Sequence, residues 1–172
     1  MRTKVWALAL LTAVATGCAD DTAAQAGPGD CMVSRSEGNK TLSDDFRIVD
    51  CGAPEAAYQV AMRLDSSTTH CGTNTYGYAT SSQRRGSGWR LCLSLNAKVG
   101  DCFHQEVGFP TGRAGKVACG PSATYRVTKV IEGIDSQDAC GPDAVTPVRN
   151  DLSRPLVLAY PKPPHTICTD GI

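Results

Sequence analysis

The run Val49-Asp50-Cys51-Gly52, followed shortly by Tyr58-Gln59-Val60, decides how this chain is built, because both runs occur twice. They return as Val117-Ala118-Cys119-Gly120 and Tyr125-Arg126-Val127. Repetition at a long, fixed spacing is typical of a duplicated structural unit. The sequence therefore predicts two units of similar fold in tandem.

Other motifs on either side of these runs also occur in both copies. Each copy begins with Gly-Asp-Cys before the quoted runs, and after them it has a Cys-Gly pair and then an apolar residue followed by Cys. These landmarks stand at 29–31, 71–72 and 91–92 in the first copy and at 100–102, 140–141 and 167–168 in the second. We place the first four-cysteine module at 29–96 and the second at 97–172. The connection near residues 96–98 is short, so we expect the two modules to pack against each other.

Apolar residues alternate with other residues in several segments, which predicts strands with one buried face. The clearest segments are 57–64, 89–95 and 124–131, with shorter apolar runs at 46–51, 116–119 and 156–160. No stretch keeps a helical period over three turns. The predicted fold class is mainly β with short helical turns, as two tandem disulfide-braced antiparallel modules.

Two local features of the second module carry more specific expectations. Residues 135–140 suit one helical turn, with Asp135 as its N-cap and Gly141 beyond its end. The last cysteine interval of this module is longer than that of the first, and the five prolines from Pro147 to Pro164 favour an extended surface loop over a strand.

Eight of the nine cysteines belong to the repeat. Eight cysteines allow 105 pairings and four within one unit allow three, so the sequence leaves the connectivity open. A duplicated unit is expected to close its own bridges, and neighbouring strands favour sequential pairs. The sequential pairs are Cys31–Cys51, Cys71–Cys92, Cys102–Cys119 and Cys140–Cys168. Disulfides persist in oxidising compartments, which indicates a location outside the cytoplasm.

The ninth cysteine, Cys18, follows an export signal. Arg2 and Lys4 precede an apolar run at 5–14, whose length of about 15 Å as a helix is half of a bilayer core. Ala15-Thr16-Gly17-Cys18 resembles the lipobox of bacterial lipoproteins, which implies that residues 1–17 are removed and that Cys18 is lipidated. The alternative is a plain signal peptide cleaved elsewhere, for instance after Ala24-Gln25-Ala26, which would give a secreted protein. Residues 18–28 are small and polar and predict a flexible tether.

Charge excludes one class of partner. The chain has 17 basic and 17 acidic residues, and removal of residues 1–17 takes away two bases and no acid. The remaining net charge of about −2 provides no long-range attraction for nucleic acid. The expected partners are the membrane, through the lipid anchor, and an envelope protein or wall component.

The ordered series of these motifs resembles the LppU-type lipoproteins of actinobacteria. The series comprises Gly-Asp-Cys, Pro54-Glu55-Ala56, Leu91-Cys92-Leu93 and the restart at Lys98-Val99-Gly100, and the likeness extends from residue 29 to residue 168. The second copy departs from the pattern at Thr169, where the first copy has an apolar residue. The resemblance implies a lipid-modified envelope protein and provides no catalytic residues to carry over.

No motif indicates chemistry. A thiol redox site needs closely spaced cysteines, which do not occur. A zinc site needs two pairs of ligands two to four residues apart, and the nearest approaches, Cys102-Phe103-His104 and His70-Cys71, have no second matching pair. We therefore predict no catalytic residues, no metal and no cofactor. The repeated Asp30 and Asp101 suit turn caps better than calcium ligands. The alternative function is a wall-directed hydrolase with His104 or His165 as its base.

The best candidate contact surface is a basic, aromatic loop unique to the first module. It contains Tyr76, Tyr78, Arg84, Arg85 and Trp89, which are residue types enriched at interfaces. The sequence thus favours a non-enzymatic binding module over a hydrolase or a purely structural spacer, and it does not identify the ligand.

Overall fold

The structure is a computed structural model, and it describes residues 22–35, 46–73, 75–81, 88–105, 113–146 and 155–172. The predicted signal sequence, the lipobox-like run with Cys18, and both Arg84 and Arg85 lie outside the described residues. Within the described ranges no helix is long and apolar enough to cross a membrane.

Two antiparallel five-stranded sheets form the molecule, one from each predicted module, and this confirms the predicted fold class. The first sheet has the order β2-β1-β3-β5-β4 and the second has the order β7-β6-β8-β10-β9, so the two share one topology. The strands of the first sheet are β1 Cys31–Ser34, β2 Phe46–Val49, β3 Tyr58–Leu64, β4 Gly77–Thr80 and β5 Arg90–Leu95. Those of the second are β6 Cys102–Gln105, β7 Ala114–Val117, β8 Tyr125–Glu132, β9 Leu156–Pro161 and β10 Pro164–Gly171.

The turn before the first strand of each sheet is the same. Asp30 accepts a hydrogen bond from the Gly27 N–H and Asp101 accepts one from the Lys98 N–H, each at 2.8 Å. The glycines before these two residues both have φ near +95°, a conformation that costs glycine little and other residues more. The aspartates are therefore turn caps, as the sequence predicted.

A β-bulge also occurs at equivalent places. In β3, Ala61 has no partner between the pairs Val60–Leu93 and Met62–Cys92. In β8, Thr128 has none between the pairs Val127–Thr169 and Lys129–Cys168. An extra residue bends a strand and increases its twist, so both sheets are shaped by the same device.

Four disulfides brace the sheets, and each lies within one module. They join Cys31 to Cys51, Cys71 to Cys92, Cys102 to Cys119 and Cys140 to Cys168. These are the sequential pairs expected from the sequence. A fold with this many disulfides is consistent with an extracytoplasmic location.

The two sheets share one hydrophobic core. Tyrosine hydroxyls join them: the Ala114 N–H of the second sheet donates to Tyr58 of the first, and the Leu95 N–H of the first donates to Tyr160 of the second. A module of about 70 residues alone has a marginal core, and packing two such modules together supplies the apolar contacts that one lacks.

The expected flexible tether is wrong for residues 22–28. Ala23 and Ala26 are fully buried, Thr22 forms a bridge with Arg47, and the Arg63 guanidinium donates to the Ala26 carbonyl at 2.7 Å. Small alanine side chains fit closely against the first sheet, which polar composition alone did not reveal.

Two expectations for the second module also change. The helical turn is present at Gln137–Cys140 as a 3₁₀ turn, but its N-cap is Ser136, whose side chain accepts from the Asp138 N–H, rather than Asp135. The proline-rich segment is not simply a loop. Pro161 ends β9 and Pro164 begins β10, which are positions where the absence of an N–H is tolerated.

Candidate functional site

The described residues of the predicted basic, aromatic loop, Tyr76, Tyr78 and Trp89, do not form one surface. Tyr76 is only 3% exposed, and its ring packs against Tyr160 of the second sheet with 5.3 Å between centroids. Its hydroxyl donates to the Lys162 carbonyl at 2.7 Å and accepts from the Lys162 N–H at 2.8 Å. Burial raises the pKa of this hydroxyl, while the hydrogen bond with Lys162 opposes the rise. Tyr76 therefore helps to join the two modules, and the prediction that it is a surface contact is wrong.

Tyr78 and Trp89 lie on opposite faces of the first sheet. Trp89 lies two residues before the buried Leu91, which places it on the core-facing side of the sheet. Arg63 pairs with Leu91 on that side, and its guanidinium is 5.1 Å from the centre of the Trp89 ring. Tyr78 pairs with Cys92 on the other face, which we call the outer face. Residues that alternate along a strand point to opposite sides of its sheet, so a single loop surface with both aromatics does not form.

On the outer face, Tyr78 contributes to a cleft of about 430 Å³. Residues 70–73, Tyr76, Tyr78 and Arg90 line this cleft, and the Cys71–Cys92 disulfide lies at its wall. We call it the Arg90 cleft. Sequence reasoning named Tyr78 but missed Arg90, which lies inside a strand rather than in the loop.

Arg90 is held in place from two sides. Its Nη2 donates to the Ser67 carbonyl at 2.6 Å, and its guanidinium carbon lies 4.8 Å from the centre of the Tyr78 ring. Its Nε is buried and has no hydrogen-bond partner. Among the residues that the structure describes, no carboxylate lies within ion-pair distance of this guanidinium. The cleft thus presents a positioned positive charge without a compensating negative charge.

At the positions equivalent to Arg90 and Tyr78, the described part of the second module carries neither an arginine nor a tyrosine. The last cysteine of each module aligns the two sheets residue by residue. Cys92 pairs with Tyr78 and Cys168 pairs with Val157, so Val157 is the equivalent of Tyr78. The position of Arg90 is taken by Thr166, which also lies two residues before the cysteine. Val157 is buried, and the 3₁₀ turn packs against β9 and β10 on that module. In the aligned modules, Arg90 and Tyr78 replace the uncharged, non-aromatic Thr166 and Val157. This difference between the two copies is the sequence signal that would have identified the cleft.

A second cleft, of about 500 Å³, lies where the modules meet. Its lining includes Lys98, Asp101 and Lys116, and the Lys116 ammonium pairs with the Asp101 carboxylate at 2.9 Å. Asp101 also caps the turn before β6. Lys116 and Asp101 therefore satisfy each other and support the fold at this position.

The structure does not bring His104 and His165 together. His104 points outward from β6, and its Nδ1 donates to the Ser122 carbonyl at 2.9 Å. His165 is buried on β10, stacks on Tyr160 at 4.7 Å, and donates from Nδ1 to the Pro163 carbonyl at 2.8 Å. The two strands are separated by β8, and the rings lie on opposite faces of the sheet.

Neither imidazole contacts a carboxylate among the described residues, and those residues contain no group of three side chains suited to a metal ion. A general base needs an orienting partner and access to its substrate. The described part of the chain does not assemble such a set around either histidine.

Comparisons of the chain with protein-family models, with curated proteins and with solved structures found no match.

Proposed function

We propose that this chain is a lipid-anchored, non-enzymatic envelope protein that binds an envelope protein or a wall component through the outer face of its first module. One observation carries the binding role: two sheets share one topology, yet among the described residues only the first has an arginine and a tyrosine at two equivalent outer-face positions, where they line an open cleft. The shared features suffice to form the fold, so the extra cation and aromatic ring of the first module are free for recognition.

The lipid anchor is supported by the lipobox-like run that ends at Cys18 and by the four disulfides. Thr22 pairs with Arg47, and four residue steps separate Thr22 from Cys18. Four extended residues span at most about 14 Å. The folded body of an anchored protein would thus lie directly over the membrane surface.

The resemblance to LppU-type lipoproteins is part of this proposal. It rests on the same series of cysteine motifs, which here form two sheets with matching disulfides. An actinobacterial envelope protein with lipid at Cys18 would display its first module to neighbouring components of the cell surface.

Site-specific crosslinking in intact cells tests the binding role. A photoreactive phenylalanine analogue at Tyr78 should capture a discrete partner, identified by mass spectrometry. The same analogue at exposed Arg126 of the second module is the matched control. Equal capture at both positions, or none at Tyr78, would contradict the proposal.

Membrane fractionation tests the anchor separately. The native chain should sediment with membranes, and its N-terminal peptide should carry acyl mass on Cys18. The Cys18→Ala chain should not be lipidated. An unmodified Cys18 in protein released to the medium would instead support the secreted alternative.

A further inference from the structure

We propose that the Arg90 cleft is a binding site for a carboxylate group, with Arg90 as its principal recognition residue. This inference deepens the binding role proposed above, because it names the class of ligand at the same surface. Three observations lead to it: the state of the guanidinium, the comparison with the second module, and the charge of the lining.

The guanidinium is positioned but not saturated. One nitrogen is used by the Ser67 carbonyl and one face is covered by Tyr78, which limits the motion of the side chain. The buried Nε has no acceptor, although a buried N–H without a partner is unfavourable. A guanidinium binds a carboxylate through two parallel N–H···O bonds, and because Nε is buried, a ligand in the cleft would be bound through the terminal Nη groups.

The second module shows that the fold does not need an arginine here. Thr166 donates from its hydroxyl to the Ile134 carbonyl at 2.7 Å, just as Arg90 donates to the Ser67 carbonyl. Met62 pairs with Cys92, and Lys129 pairs with Cys168. Ser67 follows Met62 at the same distance along the chain as Ile134 follows Lys129, so the two carbonyls occupy equivalent positions. A hydroxyl therefore satisfies the structural requirement, and the charge of Arg90 is an addition.

The charge of the lining selects a carboxylate over a phosphate. Arg90 is the only lysine or arginine among the described lining residues, which also include His70, residues 71–73 and two tyrosines. One permanent positive charge matches one carboxylate, whereas sites for a phosphate dianion draw on several cationic or N–H donors. The carboxylate has two plausible sources at a cell surface, the end of a peptide and an acidic sugar.

Titration of the isotopically labelled full-length chain in detergent, followed by amide NMR, tests the proposal. The probes are N-acetylalanine, its neutral amide N-acetylalaninamide, glucuronate and inorganic phosphate, each titrated up to about 50 mM so that weak binding of such small ligands is also detected. N-acetylalanine should shift the amide signal of Gly72 in the cleft. Gly141, at the equivalent place in the second module, is the internal control and should not shift.

The variant Arg90→Thr with Tyr78→Val gives the first module the residues that the second module uses, and it should weaken binding at least tenfold. Arg90→Lys keeps the positive charge but loses the planar guanidinium with its paired N–H donors, and it should weaken binding severalfold. This single variant tests the proposal if the double variant misfolds. Arg126→Thr removes one exposed charge elsewhere and should change nothing.

Stronger shifts with N-acetylalanine would point to peptide ends, and stronger shifts with glucuronate would point to acidic sugars; both support the site. The proposal is overturned if the neutral amide binds equally well, if phosphate binds best, or if no probe shifts Gly72. Such a failure leaves the crosslinking result at Tyr78 unaffected, so the broader binding role is judged separately.

Discussion

The first and second modules share their scaffold and differ in what is attached to it. Strand order, bulge position, capped turn and disulfide pairs occur in both sheets. Among the described residues, the pair Arg90 and Tyr78 that lines the Arg90 cleft occurs in the first module, whereas the second has Thr166 and Val157 there, together with the 3₁₀ turn and a more polar buried face that includes Thr169 and His165. Features that occur twice are those that the fold requires. Features that occur once are therefore the first place to look for function.

The largest expected effect concerns the disulfides. Replacing Cys31 and Cys51 by alanine, or Cys102 and Cys119, opens loops of similar length, 20 and 17 residues. Each pair should cost about 3 kcal/mol of unfolding free energy. Because the modules share a core, either change should lower the stability of both sheets in one transition. Urea denaturation followed by tryptophan fluorescence and circular dichroism measures this, and two separate transitions would show that the modules fold independently.

Alkaline pH should unfold the protein mainly through the second module. Burial raises the pKa of Tyr125 and Tyr160 well above 10, so both stay protonated in the folded state. Their contribution to stability is complete below pH 10, the usual pKa of tyrosine, and is lost as the pH rises beyond it. Absorbance at 295 nm should show tyrosine ionisation together with loss of structure. Tyr125→Phe should raise the midpoint of this transition, and an unchanged midpoint would contradict the assignment.

The equivalent tyrosines of β3 and β8 test how strongly the modules depend on each other. Tyr58→Phe leaves the buried Ala114 N–H of the other module without its acceptor, and should cost about 1–3 kcal/mol. Tyr125→Phe removes a 3.3 Å bond to the Gln105 side chain inside its own module, and should cost about 1 kcal/mol or less. Chemical denaturation of the two variants gives the difference. A larger loss for Tyr125→Phe would mean that the contact between sheets contributes little.

The smallest expected effect is a gain in stability. Thr169 occupies the position of Leu93 in the first module, and its buried hydroxyl has no hydrogen-bond partner. Thr169→Val removes that polar atom at nearly constant volume and should raise the unfolding free energy by roughly 1 kcal/mol.

Thr166→Val is the matched control for this gain, because it makes the same chemical change three residues away on β10. It breaks the 2.7 Å bond to the Ile134 carbonyl and should destabilise. Shifts of equal sign in the thermal midpoints of the two variants would refute the idea that Thr169 is an unpaired polar residue in the core.

Cysteine spacing and apolar alternation predicted the two-module plan and six of the ten strands. The segments 57–64 and 124–131 predicted β3 and β8 nearly to the residue, because a strand with one buried face imprints a period of two on the chain. The duplicated Gly-Asp-Cys predicted two identical capped turns, because the hydrogen bond from the aspartate is local and needs only neighbouring residues. For the same reason, the sequence placed the helical turn correctly and missed only its capping residue.

Only the tertiary structure decided what lies inside and what remains open. Tyr76 and Tyr78 are two residues apart and both border the Arg90 cleft, yet Tyr76 is buried against the second sheet whereas Tyr78 is only partly buried. Ala23 and Ala26 have the composition of a linker but are covered by the first sheet. Arg90 became a candidate binding residue only when the register of two sheets aligned it with Thr166. Burial and the pairing of charges depend on residues far away in the chain, and no local pattern encodes those distances.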